Sequence, residues 1–510
     1  MPVLPANKKE LTGSWWIYLV LKQSVGTSFE ILGRRGRLLH IFSSKTKNPS
    51  MQDAIIEKIA AVVGPEQVLS REEDRWLYAY DATDLTYLPD LVAFPGSAAE
   101  ISQIIKLANR HRFPVVPRGA GTGRAGGSVP VQGGVVLVLT RLNRILEINP
   151  EDMLAVVEPG VVTGALKRAA AERGLYYPPD PGSADFCTIG GNVAAGAGGA
   201  VAVQYGVTRD YVLGLEVVLP TGEIIEAGAR TMKSVVGYDL TRLFLGSEGT
   251  LGVITRIVLR LVPRPASRLS LAAGFATLEA ALAAVGQVLR SGLTPAAVEF
   301  MDQATLSCIR EMLPFGLPPT VTALLLFMVE GHPRDVAERV KRLHQMCKKA
   351  GADPLLPAKD DAEAERLWAA RRAISPATFK VRPHKVSEDV AVPLGAIPRF
   401  VAEVQDIARR RALPILCFGH AGDGNIHVNI MFDQSQGGER AAAKAAIGDL
   451  FALVHRLRGT LSGEHGVGVA KAPYLGLEVS EPAMALQRRL KQAFDPHNIM
   501  NPGKIFPPQP

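Results

Sequence analysis

Three glycine-bearing runs, each beside apolar stretches, constrain this chain more than any other feature. They are VPRGAGTGRAGGSVP at 116–130, DPGSADFCTIGGNVAAGAGG at 180–199 and VVGYDLTRLFLGSEGTLGVIT at 235–255. Gly121, Gly123 and Gly126 satisfy the spacing G-x-G-x-x-G. That fingerprint serves a Rossmann site only where a helix starts on the glycines and turns its positive end to a diphosphate. Here Gly127, Pro130 and Gly133–Gly134 lead straight into the strand pattern GGVVLVLT, so the Rossmann reading fails. A strand, a glycine loop and a second strand can still grip a diphosphate, because successive glycines let backbone N–H groups converge with no Cβ in the way. One such run could equally be a flexible surface loop. Two long runs, both beside strands that read as buried, suit a large two-part ligand better.

At 510 residues, with 47% apolar and 21% charged residues, the chain has core enough for two to four domains of roughly 150 residues. Cys187, Cys308, Cys347 and Cys417 lie far apart with no Cys-x-x-Cys. That spacing excludes a zinc ribbon or an iron–sulfur cluster within the chain and fits a reducing, cytoplasmic compartment. No apolar run approaches the roughly 18–20 residues that cross a bilayer; Trp15–Leu21 is far shorter. Of the formal +8, residues 1–50 carry +6 through five Lys, three Arg and two Glu, which leaves +2 for the rest. A nucleic-acid binder concentrates its cations on the folded domain, so that class is excluded. Residues 1–50 read as a basic, poorly ordered extension, a targeting segment or a docking arm, in that order.

Met51 opens an amphipathic helix pattern with Ile55, Ile56, Ile59 and Val62 on one face. Residues 95–265 alternate strand and helix patterns, and Pro263 and Pro265 close that stretch. Beyond it, PAAVEFM, TALLLFMV, EDVAVPL, ILCFGH and IHVNIMF read as strands among Ala- and Leu-rich helices, the pattern of an antiparallel α+β domain.

Two of those strands form a second constellation. In CFGHAGDGNIHVNIMF (417–432) the turn residues Gly422 to Asn425 predict a hairpin that brings His420 and His427 together, with Asn429 on the same face. Downstream, Glu464 and His465 stand between glycines in SGEHGVG. Two His and one carboxylate make a common ligand set for a catalytic divalent metal. A lone His is more often structural, as read for His344 and His455, and spacing alone leaves both readings open. Arg371 and Arg372 end a helix pattern, where they either sit in solvent or clamp a carboxylate.

RGAGTGRAGG, PPDPGSADFCTIGGN and GYDLTRLFLGSEGTLGVIT resemble the flavin-binding domain of the vanillyl-alcohol-oxidase-like (PCMH-type) flavoproteins. Within these the chain is similar to the group holding the glycolate oxidase catalytic subunit, D-lactate dehydrogenase and D-2-hydroxyglutarate dehydrogenase, over about residues 51–507. The resemblance implies an α+β fold. A two-part FAD-binding domain spans 51–265, and a cap domain at 266–480 has an antiparallel sheet covered by helices. Residues 481–510 return to the FAD domain. FAD would lie on Pro117, Arg118, Gly119, Ala120, Gly121, Thr122 and Gly123, and on Ser183, Cys187, Thr188, Gly190, Gly191 and Asn192. Gly252, Val253, Ile254 and Asn501 complete that set. Thr122 stands where relatives with covalent FAD have a His, so the cofactor is expected to be non-covalent, with Cys187 as a small buried side chain.

GHAGDGNIH and GEHGVG resemble the metal-binding segments of the hydroxyacid branch. They imply His420, His427 and Glu464 as ligands, His465 as base and Asn429 as a substrate contact. Zinc suits that N/N/O set, with manganese or iron as alternatives. The spacing from Trp368 makes Arg371 the carboxylate clamp, and Lys385 is a further candidate. The implied activity is oxidation of a D-2-hydroxy acid to the 2-oxo acid, with hydride passing to flavin N5. Electrons then go to an iron–sulfur subunit, an electron-transferring flavoprotein, quinone or a cytochrome. Attachment to a membrane is expected only through such a partner. The competing readings are a non-catalytic electron-transfer subunit and an alkyl-dihydroxyacetonephosphate synthase-like enzyme.

Overall fold

The computed structural model describes residues 51–508 and two short strands, Glu30–Leu32 and Leu38–His40. Those two strands pair antiparallel within the unit Met1–Ser50, and Met51–Pro510 form a second unit. The readings of residues 1–50 otherwise lie outside the described residues. Among the described residues no helix is long and apolar enough to cross a membrane.

The expected amphipathic helix forms at Asp53–Val63 and buries Ile55, Ile59 and Val63. It packs with helix Ala98–His111 against a four-stranded sheet ordered Val68–Leu69, Leu91–Ala93, Val135–Val138, Val115–Arg118. The last two strands run parallel as neighbours. Parallel neighbours need a long crossover, commonly a helix; here the first glycine run supplies it as open loop. The chain's end joins this sheet, because Val115 N donates to Ile499 O and Asn501 N donates to Val115 O. A five-stranded antiparallel sheet follows, ordered Ile224–Gly228, Val212–Val218, Val253–Arg260, Leu154–Val157, Ile145–Asn149.

The third sheet has seven strands, all antiparallel. Their order is Leu355–Pro357, Ser267–Phe275, Ala323–Gly331, Ala297–Met301, Ile415–His420, Asn425–Phe432, His384–Ala391. One face turns Val298, Phe300, Cys417, Ile426, Val428, Ile430 and Val390 into a core shared with helices Leu278–Arg290, Pro333–Lys349, Ile397–Arg411 and Glu439–Arg456. Phe400 and Phe451 are fully buried there, and truncating either to Ala costs about 3–5 kcal/mol. The period of two then sends the intervening residues to the opposite face. These are Glu299, Phe418, His420, His427, Asn429, Ser387 and Asp389, an unusual density of polar side chains for a buried sheet surface.

Candidate active site

That polar face looks onto a cavity of about 950 Å³ whose other walls are the glycine runs. From the first run, Pro117, Arg118, Gly119, Ala120, Gly121, Thr122 and Gly123 line it; from the second, Ser183, Cys187, Thr188, Gly190, Gly191 and Asn192. The third run adds Gly252 and Ile254. The opposite side carries Glu299, Arg371, His420, His427, Glu464 and His465. The two constellations read separately from the sequence therefore face one space.

The loops touch one another closely. A Cβ on Gly119 would fall 2.3 Å from Thr188 Oγ1, so the first and second runs meet there with no room for a side chain. Such bare backbone along a long cavity fits a dinucleotide cofactor. Two expected contacts lie elsewhere. Val253 is turned into the core beside Val218, because strand parity alternates it with Ile254. Asn501 sits behind the loops, donating from Nδ2 to Gly127 O at 2.8 Å and Glu248 O at 2.6 Å. Arg118 turns its guanidinium under its own loop, with Nη1 donating to Tyr80 O at 2.7 Å. Cys187 is buried with Sγ 3.3 Å from Thr163 Oγ1, and all four thiols are free. Acid precipitation of the holoenzyme is accordingly expected to leave all the flavin in the supernatant; colour in the pellet would mean a covalent link.

On the cap side, hairpin register sets Phe418 opposite His427 and His420 opposite Asn425, so the two imidazoles are diagonal neighbours with ring centroids 5.2 Å apart. Glu464 Oε1 is the common point of the cluster. It lies 3.9 Å from His420 Nε2, 3.7 Å from His427 Nε2 and 3.8 Å from His465 Nε2. These separations are too long for hydrogen bonds. They are close to the about 3.4 Å between two ligands that share a tetrahedral cation at about 2.1 Å. His427, Glu464, His465 and Asp389 also have ligand atoms mutually within 4.8 Å.

Three carboxylates that the sequence did not mark hold this cluster, Glu299 and Asp389 buried and Glu248 half-buried. Glu299, fully buried, is paired across the sheet with His420 and binds its Nδ1, which leaves Nε2 toward Glu464. The same carboxylate takes Arg371 Nε and Nη2, each at 2.5 Å. Half of the expected substrate fork is thus committed to Glu299, and the guanidinium carbon Cζ lies over Phe418, 4.8 Å from its ring centre. Asp389 Oδ2 accepts from Glu464 N at 2.8 Å and His465 N at 3.0 Å, while Oδ1 accepts from Asn425 Nδ2 at 2.6 Å. Glu248, in the third glycine run, accepts from Val467 N at 2.7 Å and Gly468 N at 3.1 Å. It is held at φ 52°, a strained conformation for a non-glycine residue. One turn, Glu464–Gly468, is therefore gripped from both sides of the cavity.

Burial tends to lower the proton affinity of His420, but Glu299 and Glu464 outweigh it and hold the group well above the usual imidazole range. Burial and the charge on His420 push His427 well below that range. His465 is also lowered, by burial first, against the pull of Asp389. Burial opposes charge on Asp389 too, yet His465, Lys471 and His427 keep its carboxyl well below normal. Asn429 is fully buried, and among the described residues neither its Oδ1 nor its Nδ2 has a partner; it shares the sheet face of His427 without lining the cavity itself. Lys385 bonds Ser375 O at 2.8 Å and Ser375 Oγ at 2.9 Å, so the expected second substrate cation already has partners.

Two glycine-loop sheets closed by a helix-covered antiparallel sheet over one cavity make a two-part PCMH-type flavoprotein fold. The fold matches p-cresol methylhydroxylase at TM-score 0.76 and 18% identity, covering 90% of this chain and 98% of that one. It also matches alkyldihydroxyacetonephosphate synthase at TM-score 0.71 and 20% identity, over 89% and 86%. The family model "FAD binding domain" matches residues 89–228, and "FAD linked oxidases, C-terminal domain" matches 264–505. Glycolate oxidase subunit GlcD of Bacillus subtilis is 42% identical over 88% of this chain and 96% of its own length. The D-lactate dehydrogenase of Anaerostipes hadrus is 36% identical over 88% and 97%. The chain belongs to this family of FAD-linked oxidoreductases.

Proposed function

We propose that the protein oxidises a small D-2-hydroxy acid, of the class of glycolate and D-lactate, to the 2-oxo acid. The observation that carries this reading is the single cavity shared by the glycine loops and the imidazole–carboxylate cluster. The names of the two relatives support the same substrate class. FAD on the glycine loops would supply the two-electron acceptor for hydride from Cα. A divalent cation on His420, His427 and Glu464, zinc by the chemistry of the donors, would supply a Lewis acid that acidifies the substrate hydroxyl.

The remaining work falls to side chains of this protein. Neutral His465 takes the hydroxyl proton at Nε2, the role its lowered proton affinity suits at neutral pH. Asp389, already saturated by N–H donors, is a support for the turn rather than a ligand. Glu299 fixes the tautomer of His420, as carboxylates do for metal-bound imidazoles. The Arg371 Nη1 that Glu299 leaves uncommitted steadies the carboxylate, and Asn429 offers both a donor and an acceptor to the substrate. With no Cys-x-x-Cys in the chain, electrons leave to a separate iron–sulfur subunit, electron-transferring flavoprotein, quinone or cytochrome. That the Bacillus relative is named a subunit supports a protein acceptor.

Anaerobic mixing of holoenzyme with glycolate, D-lactate and D-2-hydroxyglutarate should bleach the flavin with at least one of them, and L-lactate should not. Bleaching by none would remove this reading and leave a flavin carrier without turnover.

A further inference from the structure

Arg124 is a residue of the first glycine run, yet it stands at the cap end of the cavity. It lines that cavity together with Glu464 and His465. The reason is local: the carbonyl of its neighbour Ala125 accepts from Val469 N at 2.8 Å and Ala470 N at 3.1 Å, just beyond the gripped turn. Gly468 must be glycine for this approach, because a Cβ there would lie 2.0 Å from Ala125 O. Arg124 has no hydrogen bond, and no carboxylate within 4 Å, among the described residues. Burial disfavours its charge and Glu464 supports it, while burial together with that charge pushes Lys385 down to about 7.

The neighbouring cations have partners: Arg371 is paired with Glu299 and Arg372 with Glu365, and Lys385 bonds Ser375 O and Oγ. A largely buried guanidinium that makes no ion pair, and whose acidic neighbour Glu464 already faces three imidazoles, is costly unless a ligand brings another negative charge. We propose that Arg124 binds a carboxylate of the bound hydroxy acid and sets the preference of the site for anions. This inference rests on the substrate class proposed above. A planar fork of N–H donors suits a carboxylate in two-point contact.

The test uses ligands that cannot be oxidised because they lack hydrogen on Cα: 2-hydroxyisobutyrate, its neutral amide, and the dicarboxylate 2-methylmalate. Each is titrated into oxidised holoenzyme and read by the flavin absorbance. Wild type should prefer the acids to the amide. Arg124→Met should weaken the acids by roughly 10- to 100-fold and leave the amide unchanged, with Arg124→Lys in between. Weakening of 2-hydroxyisobutyrate assigns Arg124 to the carboxylate beside the hydroxyl, and weakening of 2-methylmalate alone assigns it to a distal one. Equal affinities in wild type and Arg124→Met would overturn the proposal, as would equal loss of acid and amide, or no binding of any acid. A wild type that shows this dependence on Arg124 but is bleached by no hydroxy acid would keep the anion site and sink the oxidation.

Discussion

His465→Ala is expected to stay yellow and to lose reductive bleaching, its rate constant falling by roughly 10²- to 10⁴-fold, the usual contribution of a positioned base. Flavin should stay because the imidazole does not hold the turn. The backbone does that work, through Asp389 on the N–H groups of Glu464 and His465 and Glu248 on those of Val467 and Gly468. Anaerobic stopped-flow reduction gives the rate, and the flavin-to-protein absorbance ratio gives the occupancy. Added imidazole should restore part of the rate, which a merely structural defect would not allow. Bleaching at the wild-type rate would remove His465 from the reaction.

The second large effect is expected at Asp389, which touches neither flavin loop nor substrate fork. Every group pressed on its carboxylate is a donor: two backbone N–H groups on Oδ2 and the Asn425 amide on Oδ1. Asp389→Asn keeps the shape but must point an NH₂ at an N–H whichever way the amide is turned. Leaving buried donors opposed costs about 2–4 kcal/mol, read as a lower urea midpoint at unchanged slope. Substrate bleaching should slow at least tenfold in the fraction that stays folded, since Glu464 and His465 lose their anchor. Ser462→Ala is the comparison: Ser462 Oγ reaches the same oxygen only at 3.5 Å and gives the turn one bond, to Gly466 O at 2.9 Å, so its loss should cost clearly less than Asp389→Asn. A midpoint equal to wild type in Asp389→Asn would show that the turn is held by other means.

Local sequence carried the glycine runs, the hairpin and the period-two strands, because each is a pattern within about twenty residues. It also excluded a helix on the first glycine run, and the chain there passes as loop between two parallel strands. The supporting carboxylates were not legible. Glu299 sits in PAAVEFM as one polar residue in an apolar strand, and only its register against His420, set by a strand far downstream, gives it a role. Asp389 in EDVAVPL is the same case, silent until the strand lies beside His427. A carboxylate at the buried parity of a strand is the one signal that could have flagged both. The same parity turns the Val253 side chain into the core, and Arg124, one residue past the expected flavin contacts, receives no role from sequence, which cannot show which end of the cavity it reaches.

The most direct test of the shared cavity is the fraction of flavin bleached by substrate as a function of bound divalent metal per chain. Samples are chelated to different extents, and dithionite bleaching reports the total flavin. The two quantities should fall together toward zero while the flavin content stays constant. Complete bleaching by substrate in protein verified to hold no metal would contradict the account.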